Sequence, residues 1–219
     1  MEVDVALDHA SVITPQKWDV RRGVALDEEF AGRRLQEAHV KRICVFAGTR
    51  RGVRHSYTQA AKALARELLH HNVGLIFGGS TLGLMGVIAT QVLEGGGEVI
   101  GVLPKQLLHE EAAYQGITEL HIVQSLQERK LMMYDLADAF ISLPGGLGTL
   151  DETLDVVSLL NIGMVAKPVG LLDVRGFYDP LVSFVQLAAA EGFVSPDWST
   201  KFVCDSNAPR LVSRILSLG

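Results

Sequence analysis

A doubly wound α/β fold with a parallel sheet is predicted by three features of the chain. Short apolar runs alternate with segments of helical period from residue 41 onward, the connections between runs are too long for hairpins, and two of the runs end in glycine loops that open helices. Strand, crossover, strand repeated in this way requires parallel pairing through right-handed connections.

The elements follow in order. Ile43 to Ala47, Val73 to Phe77, Glu98 to Leu103, Leu120 to Val123, Ala139 to Leu143 and Val169 to Leu172 read as strands. Between the first two, Tyr57, Ala60, Ala61, Leu64 and Leu68 recur at helical spacing, with Gln59, Lys62, Arg66 and Glu67 on the opposite face. Asn72 with Gly74 stops that helix. A second helix runs from about Gly83 to Leu93 and ends at Gly95-Gly96-Gly97. Ser125, with Glu128 three residues on, starts another. The C-terminal part adds a helix near Pro180 to Ala190, a short strand at Lys201 to Cys204 and a closing helix from Pro209 to Leu216. Residues 1–40 read as an N-terminal extension, with one polar helix from Leu26 to His39. Residues 41–219 are expected to form the single doubly wound α/β domain.

At 219 residues the chain has room for one sizeable α/β domain. A net charge of -5 provides no basic field for nucleic acid, and no apolar run approaches the ~20 residues of a membrane span. Acidic residues interrupt the first thirty positions, so they hold no signal peptide, and a cytoplasmic protein is expected. Cys44 and Cys204 lie in apolar segments and are expected to be reduced core thiols. The seven histidines are scattered, so neither a metal nor a cofactor is expected.

Chemistry concentrates in two loops and one helix. Gly78-Gly79-Ser80-Thr81-Leu82-Gly83-Leu84-Met85-Gly86 follows the second strand, and Pro144-Gly145-Gly146-Leu147-Gly148-Thr149 follows the fifth. In open α/β sheets ligands sit beyond the carboxyl ends of the strands, where helix N-termini favour a phosphate and glycines let backbone N–H groups approach it. Neither loop is a dinucleotide or triphosphate motif, so a mononucleotide monophosphate fits better. Asp151 and Glu152 follow the second loop in the expected first turn of its helix. Thr149-Leu150-Asp151-Glu152 also matches a capping box, in which Glu152 would serve only the helix. Arg129 and Lys130 supply two cations, although such a pair in a polar helix turn is ordinarily a solvated face. Met132 and Met133 read as core.

Taken together, Gly78-Gly79-Ser80-x-x-Gly83-Leu84-Met85-Gly86, Glu128-Arg129-Lys130 and Pro144-Gly145-Gly146-x-Gly148-Thr149-x-x-Glu152 resemble the Lonely Guy (LOG) family of cytokinin riboside 5'-monophosphate phosphoribohydrolases. The resemblance continues through Lys167-Pro168-Val169-Gly170-Leu171-Leu172 and Phe177-Tyr178-Asp179-Pro180-Leu181, covering about residues 41 to 205. It implies a Rossmann-like fold, a homodimer or higher homo-oligomer, and hydrolysis of a nucleoside 5'-monophosphate to free base and ribose 5-phosphate. By position, Arg129 and Glu152 match the family's catalytic pair. Gly78, Gly79, Ser80, Met85, Lys130, Gly145, Gly146, Gly148 and Thr149 match its nucleotide contacts, and Glu111 falls where a substrate-contacting glutamate stands. The chain departs from the family at Leu126-Gln127, Leu159 and Ser80, positions that bear on base specificity.

Two competing readings stand beside this one: a non-catalytic nucleotide or pterin-cofactor carrier, and a general purine-nucleotide nucleosidase. The lysine decarboxylase label often attached to such sequences requires a pyridoxal Schiff-base lysine in a much larger fold, and no lysine here has a suitable setting.

Overall fold

The computed structural model describes residues 18–19, 24–25, 40–108, 113–195, 197 and 202–218. The chain divides into two units, Met1–Ala38 and His39–Gly219. In the first, Trp18–Asp19 pairs antiparallel with Val24–Ala25. The polar helix expected from Leu26 to His39 lies outside the described residues.

The second unit is built on seven parallel strands: β1 (Arg42–Phe46), β2 (Gly74–Phe77), β3 (Val99–Pro104), β4 (Glu119–Val123), β5 (Ala139–Ser142), β6 (Val169–Leu172) and β7 (Val203–Asp205). Their spatial order is β4-β3-β2-β1-β5-β6-β7. β2, β3, β5 and β6 are buried along their whole length, because helices cover both faces of the sheet. That is why the strands appear in the sequence as continuous apolar runs rather than alternating ones.

Helices α1 (His55–His70), α2 (Gly83–Glu94) and α6 (Ala208–Leu218) pack with one face, sharing a core that includes Leu64, Leu68, Ile88, Val92, Leu211 and Ile215. Helices α3 (Leu126–Leu136), α4 (Leu147–Asn161) and α5 (Asp179–Ala190) meet the other face around Phe46, Met133, Phe140 and Val156. Each fully buried leucine or isoleucine contributes roughly 1.5–3 kcal/mol of apolar transfer. α1 stops at Asn72, which takes a left-handed φ of 53° as Val73 N–H donates to the Leu68 carbonyl at 2.8 Å. Met133 is buried as expected and Met132 partly so.

Cys44 is buried on β1, and burial pushes its thiol pKa well up. Cys204 corrects the expectation of two core thiols. On β7 the neighbouring Val203 and Asp205 point inward, so the two-residue period of the strand turns Cys204 outward and exposes it.

The sheet order places the ligand crevice. From β1 the chain steps outward through β2, β3 and β4, then returns to β5 on the other side of β1. The loops leaving β1 and β5 therefore diverge at the strand-order reversal, where a doubly wound sheet opens.

Candidate active site

Three loops meet at that reversal. Gly48 N–H donates to the Pro144 carbonyl at 3.3 Å, and Leu84 N–H donates to the Gly48 carbonyl at 2.9 Å. The segment after β1 is thus bonded to both glycine loops. Gly83, with φ +59°, lies so close to the Thr49 and Arg50 backbone that any Cβ would collide with it. The Gly48 segment was absent from the sequence-derived site. The signal that would have found it is its place after the first strand, beside the strand-order reversal.

In the first loop Ser80 is buried, and its hydroxyl accepts a hydrogen bond from Leu82 N–H at 3.1 Å, which shapes the turn itself. Tyr114 N–H donates to the Gly79 carbonyl at 2.9 Å, so the connection from β3 comes back against this loop. Met85 is buried in the core beneath it. Glu111 lies outside the described residues.

The second loop corrects one expectation. Helix α4 begins at Leu147 with Gly146 as its N-cap, and Leu150 N–H closes the first turn onto the Gly146 carbonyl at 3.0 Å. Thr149 is therefore inside the helix, and Glu152 lies beyond its first turn, so neither the capping box nor a first-turn carboxylate forms. The Thr149 side chain instead packs against Gly145, where a Cβ would collide with it. Among the described glycines, Gly146 and Gly148 alone combine a φ outside the left-handed region with open space within 4 Å of a would-be Cβ. The protein's own packing does not require glycine at either place, and interior glycine costs a helix about 1 kcal/mol relative to alanine. Their bareness leaves the free N–H groups at the start of α4 open to a group from outside.

Arg129 and Glu152 come together from α3 and α4. Ser125 caps α3 by accepting from Glu128 N–H at 3.1 Å, and Glu128 reaches back to Gln124 N–H at 2.6 Å, which sets where the helix begins. Arg129 is not a solvated residue: it is 7% exposed. Its Nη2 stands 3.8 Å from Oε1 of Glu152, both side chains being largely shielded. Lys130 Nζ sits 3.1 Å from both Asp151 and Asp155, and Tyr134 donates to Asp155 at 2.9 Å. Burial pulls the Lys130 pKa down, but hydrogen bonds to Asp155 and Asp151 outweigh it and hold the ammonium above its ordinary range. Asp155, which the sequence reading did not single out, thus ties α3 to α4 beside the Arg129–Glu152 pair.

A cavity of about 470 Å³ opens beside the second loop, between Gly145, Gly146, Leu147 and Thr149 on one side and Phe177 and Leu181 on the other. Arg129 and Glu152 do not line it. Tyr178 anchors its far wall by donating to the Leu143 carbonyl at 2.7 Å.

The arrangement offers bare helix-start N–H groups for an anion at the start of α4, and a guanidinium facing a shielded carboxylate farther along the same helix. Residues 85–215 match a family profile described as "Possible lysine decarboxylase". The chain is 44% identical over 181 residues to "Probable cytokinin riboside 5'-monophosphate phosphoribohydrolase LOGL9" of Oryza sativa subsp. japonica, covering 83% of this chain and 80% of the relative. It is also 44% identical over 179 residues to "Cytokinin riboside 5'-monophosphate phosphoribohydrolase LOG1" of Arabidopsis thaliana, covering 82% and 84% respectively. The solved molybdenum cofactor binding protein of Rippkaea orientalis shares the fold, with a TM-score of 0.61 at 20% identity over 83% of this chain and 98% of that one. With its three motifs brought together at one strand-order reversal and relatives of this identity matched along four fifths of their length, the chain belongs to the LOG family of cytokinin riboside 5'-monophosphate phosphoribohydrolases.

Proposed function

We propose that this protein hydrolyses the N-glycosidic bond of a nucleoside 5'-monophosphate, a cytokinin riboside 5'-monophosphate or AMP, to free base and ribose 5-phosphate. The observation that carries the reading is the shielded Arg129–Glu152 pair at 3.8 Å beside a helix start whose glycines are bare. The 5'-phosphate sits over Gly146 and Gly148, with Gly145, Thr149 and the Gly78–Gly79–Ser80 loop shaping the cradle. Lys130, held between Asp151 and Asp155, offsets their negative charge beside the cradle.

Glycoside cleavage passes through an oxocarbenium-like state that a carboxylate stabilises. Glu152 faces the anomeric carbon and takes a proton from water as the water oxygen bonds to that carbon. The electron pair of the breaking C–N bond leaves with the base, which gains a proton from solvent, and Glu152 releases its proton to solvent to restore the carboxylate. The Arg129 guanidinium stabilises the electron density that develops on the base or on the phosphate. A simple carrier would have no use for a shielded carboxylate beside a phosphate, and the likeness to the molybdenum cofactor binding protein extends to fold alone.

The active species is a homodimer. Helix α5 has no fully buried residue although it is strongly apolar, and Phe184 and Phe193 are 65% and 85% exposed. An apolar surface of this kind suits burial against a second copy. Two free thiols, one of them exposed, suit a reducing compartment, and the reading is of a cytoplasmic enzyme.

Incubation with AMP and with an N6-prenylated AMP, followed by separation of base from ribose 5-phosphate, tests the proposal. Turnover of either supports hydrolysis, and the ratio of rates distinguishes a cytokinin enzyme from a general purine nucleosidase. Tight binding without product would favour the carrier.

A further inference from the structure

The glycines of the first loop exist for different reasons. Gly79 and Gly83 take left-handed φ values of +76° and +59°, which side chains rarely adopt. Gly78 does not, so backbone conformation alone would accept alanine there. What alanine would meet is another side chain. A methyl at Gly78 would fall on Nη2 of Arg129, 3.0 Å from its Cζ and 2.9 Å from Sδ of Met85. Met85 is itself buried and backed by the core, so there is little room for the guanidinium to slide toward it.

Arg129 is unusually dependent on that space. Among the described residues its Nε–H is buried without a hydrogen-bond partner, and its guanidinium pairs with Glu152 at 3.8 Å. With Nε unbonded, the shape of the surrounding space helps to hold the cation in place. We infer that Gly78 is a positioning residue whose missing side chain seats the Arg129 guanidinium opposite Glu152. This goes beyond a cradle glycine that merely lets backbone approach the phosphate, and it rests on the hydrolase reading for its kinetic consequence.

The test is a double-mutant cycle of Gly78→Ala and Arg129→Lys, with AMP turnover, ribose 5-phosphate affinity and the side-chain Nε–Hε NMR resonance of Arg129 as readouts. That resonance is assigned by its loss in Arg129→Lys. Displacing a catalytic group by about 1 Å costs on the order of 100-fold, so Gly78→Ala should lower kcat by about that factor. It should lower kcat by far more than it weakens ribose 5-phosphate, move the Arg129 resonance, and cost less than about threefold more when added to Arg129→Lys. Losses that multiply across the cycle or an unmoved resonance would overturn the seat. Should Gly78→Ala fail to fold alone, recovery of folding in the double variant supports it and continued failure sinks it. If the wild-type protein turns over no nucleotide, the hydrolase reading fails, and the resonance alone decides the role of Gly78.

Discussion

Replacing Gly148 with alanine should make the protein more stable and a poorer binder at the same time. Gly148 is the second residue of α4, its φ lies outside the left-handed region, and nothing lies within 4 Å of a would-be Cβ. A methyl there relieves the cost of a flexible residue in a helix, worth roughly 0.5–1 kcal/mol. For a chain of this size that is a rise in Tm of about 1–4 °C. The same methyl stands over the free N–H groups that the phosphate needs. Loss of one charge-assisted hydrogen bond of about 1.5–3 kcal/mol weakens the monophosphate by roughly 10- to 150-fold. Calorimetric titration with ribose 5-phosphate measures the affinity, and differential scanning fluorimetry without ligand measures the stability. A variant that is more stable yet binds as tightly as wild type would show that the phosphate does not sit over Gly148.

Four further outcomes are expected. Glu152→Gln should lower kcat by about 10²–10⁴-fold while monophosphate binding changes little, and near-normal turnover would remove Glu152 from the mechanism. A nucleoside lacking its 5'-phosphate should be hydrolysed at least about 100-fold more slowly in kcat/KM, and equal rates would refute the cradle. The Arg210 hydrogen bond, aided by Asn207 N–H, holds the Asp205 carboxyl below its ordinary range despite burial. Its stabilisation is therefore present above the unfolded pKa of about 3.9 and lost as pH falls through the folded value, so Asp205→Asn should lower Tm at pH 7 more than at pH 3. Phe184→Glu, on the exposed apolar α5, should yield monomers by sedimentation velocity, and an unchanged mass would place the oligomer contact elsewhere.

Much of this molecule was legible without coordinates. Each strand from Arg42 to Leu172 lies within about a residue of its apolar run, and β2, β3, β5 and β6 were legible because strands covered on both faces must be apolar throughout. The glycine loops could be read locally too, since each follows an apolar run and opens a segment of helical period. The site was legible less evenly. The motif pointed to Arg129 and Glu152, but Glu152 carried an equally good capping explanation until α4 proved to start at Gly146, and the Gly48 segment and Asp155 carried no local signal at all.

The division follows the range of the forces concerned. Periodicity, glycine placement and capping at Ser125 are properties of neighbouring residues, so the sequence by itself determined the elements, their order and the parallel sheet. Whether Arg129 is solvated or buried, whether Lys130 faces water or Asp151 and Asp155, which glycines are crowded and which are bare, and that Cys204 turns outward were decided only when distant segments met. Each depends on which surfaces the sheet order presses together and which it leaves open. Gly78 is the clearest case, since the guanidinium that fills its missing side chain comes from a helix on the far side of two intervening strands in the chain.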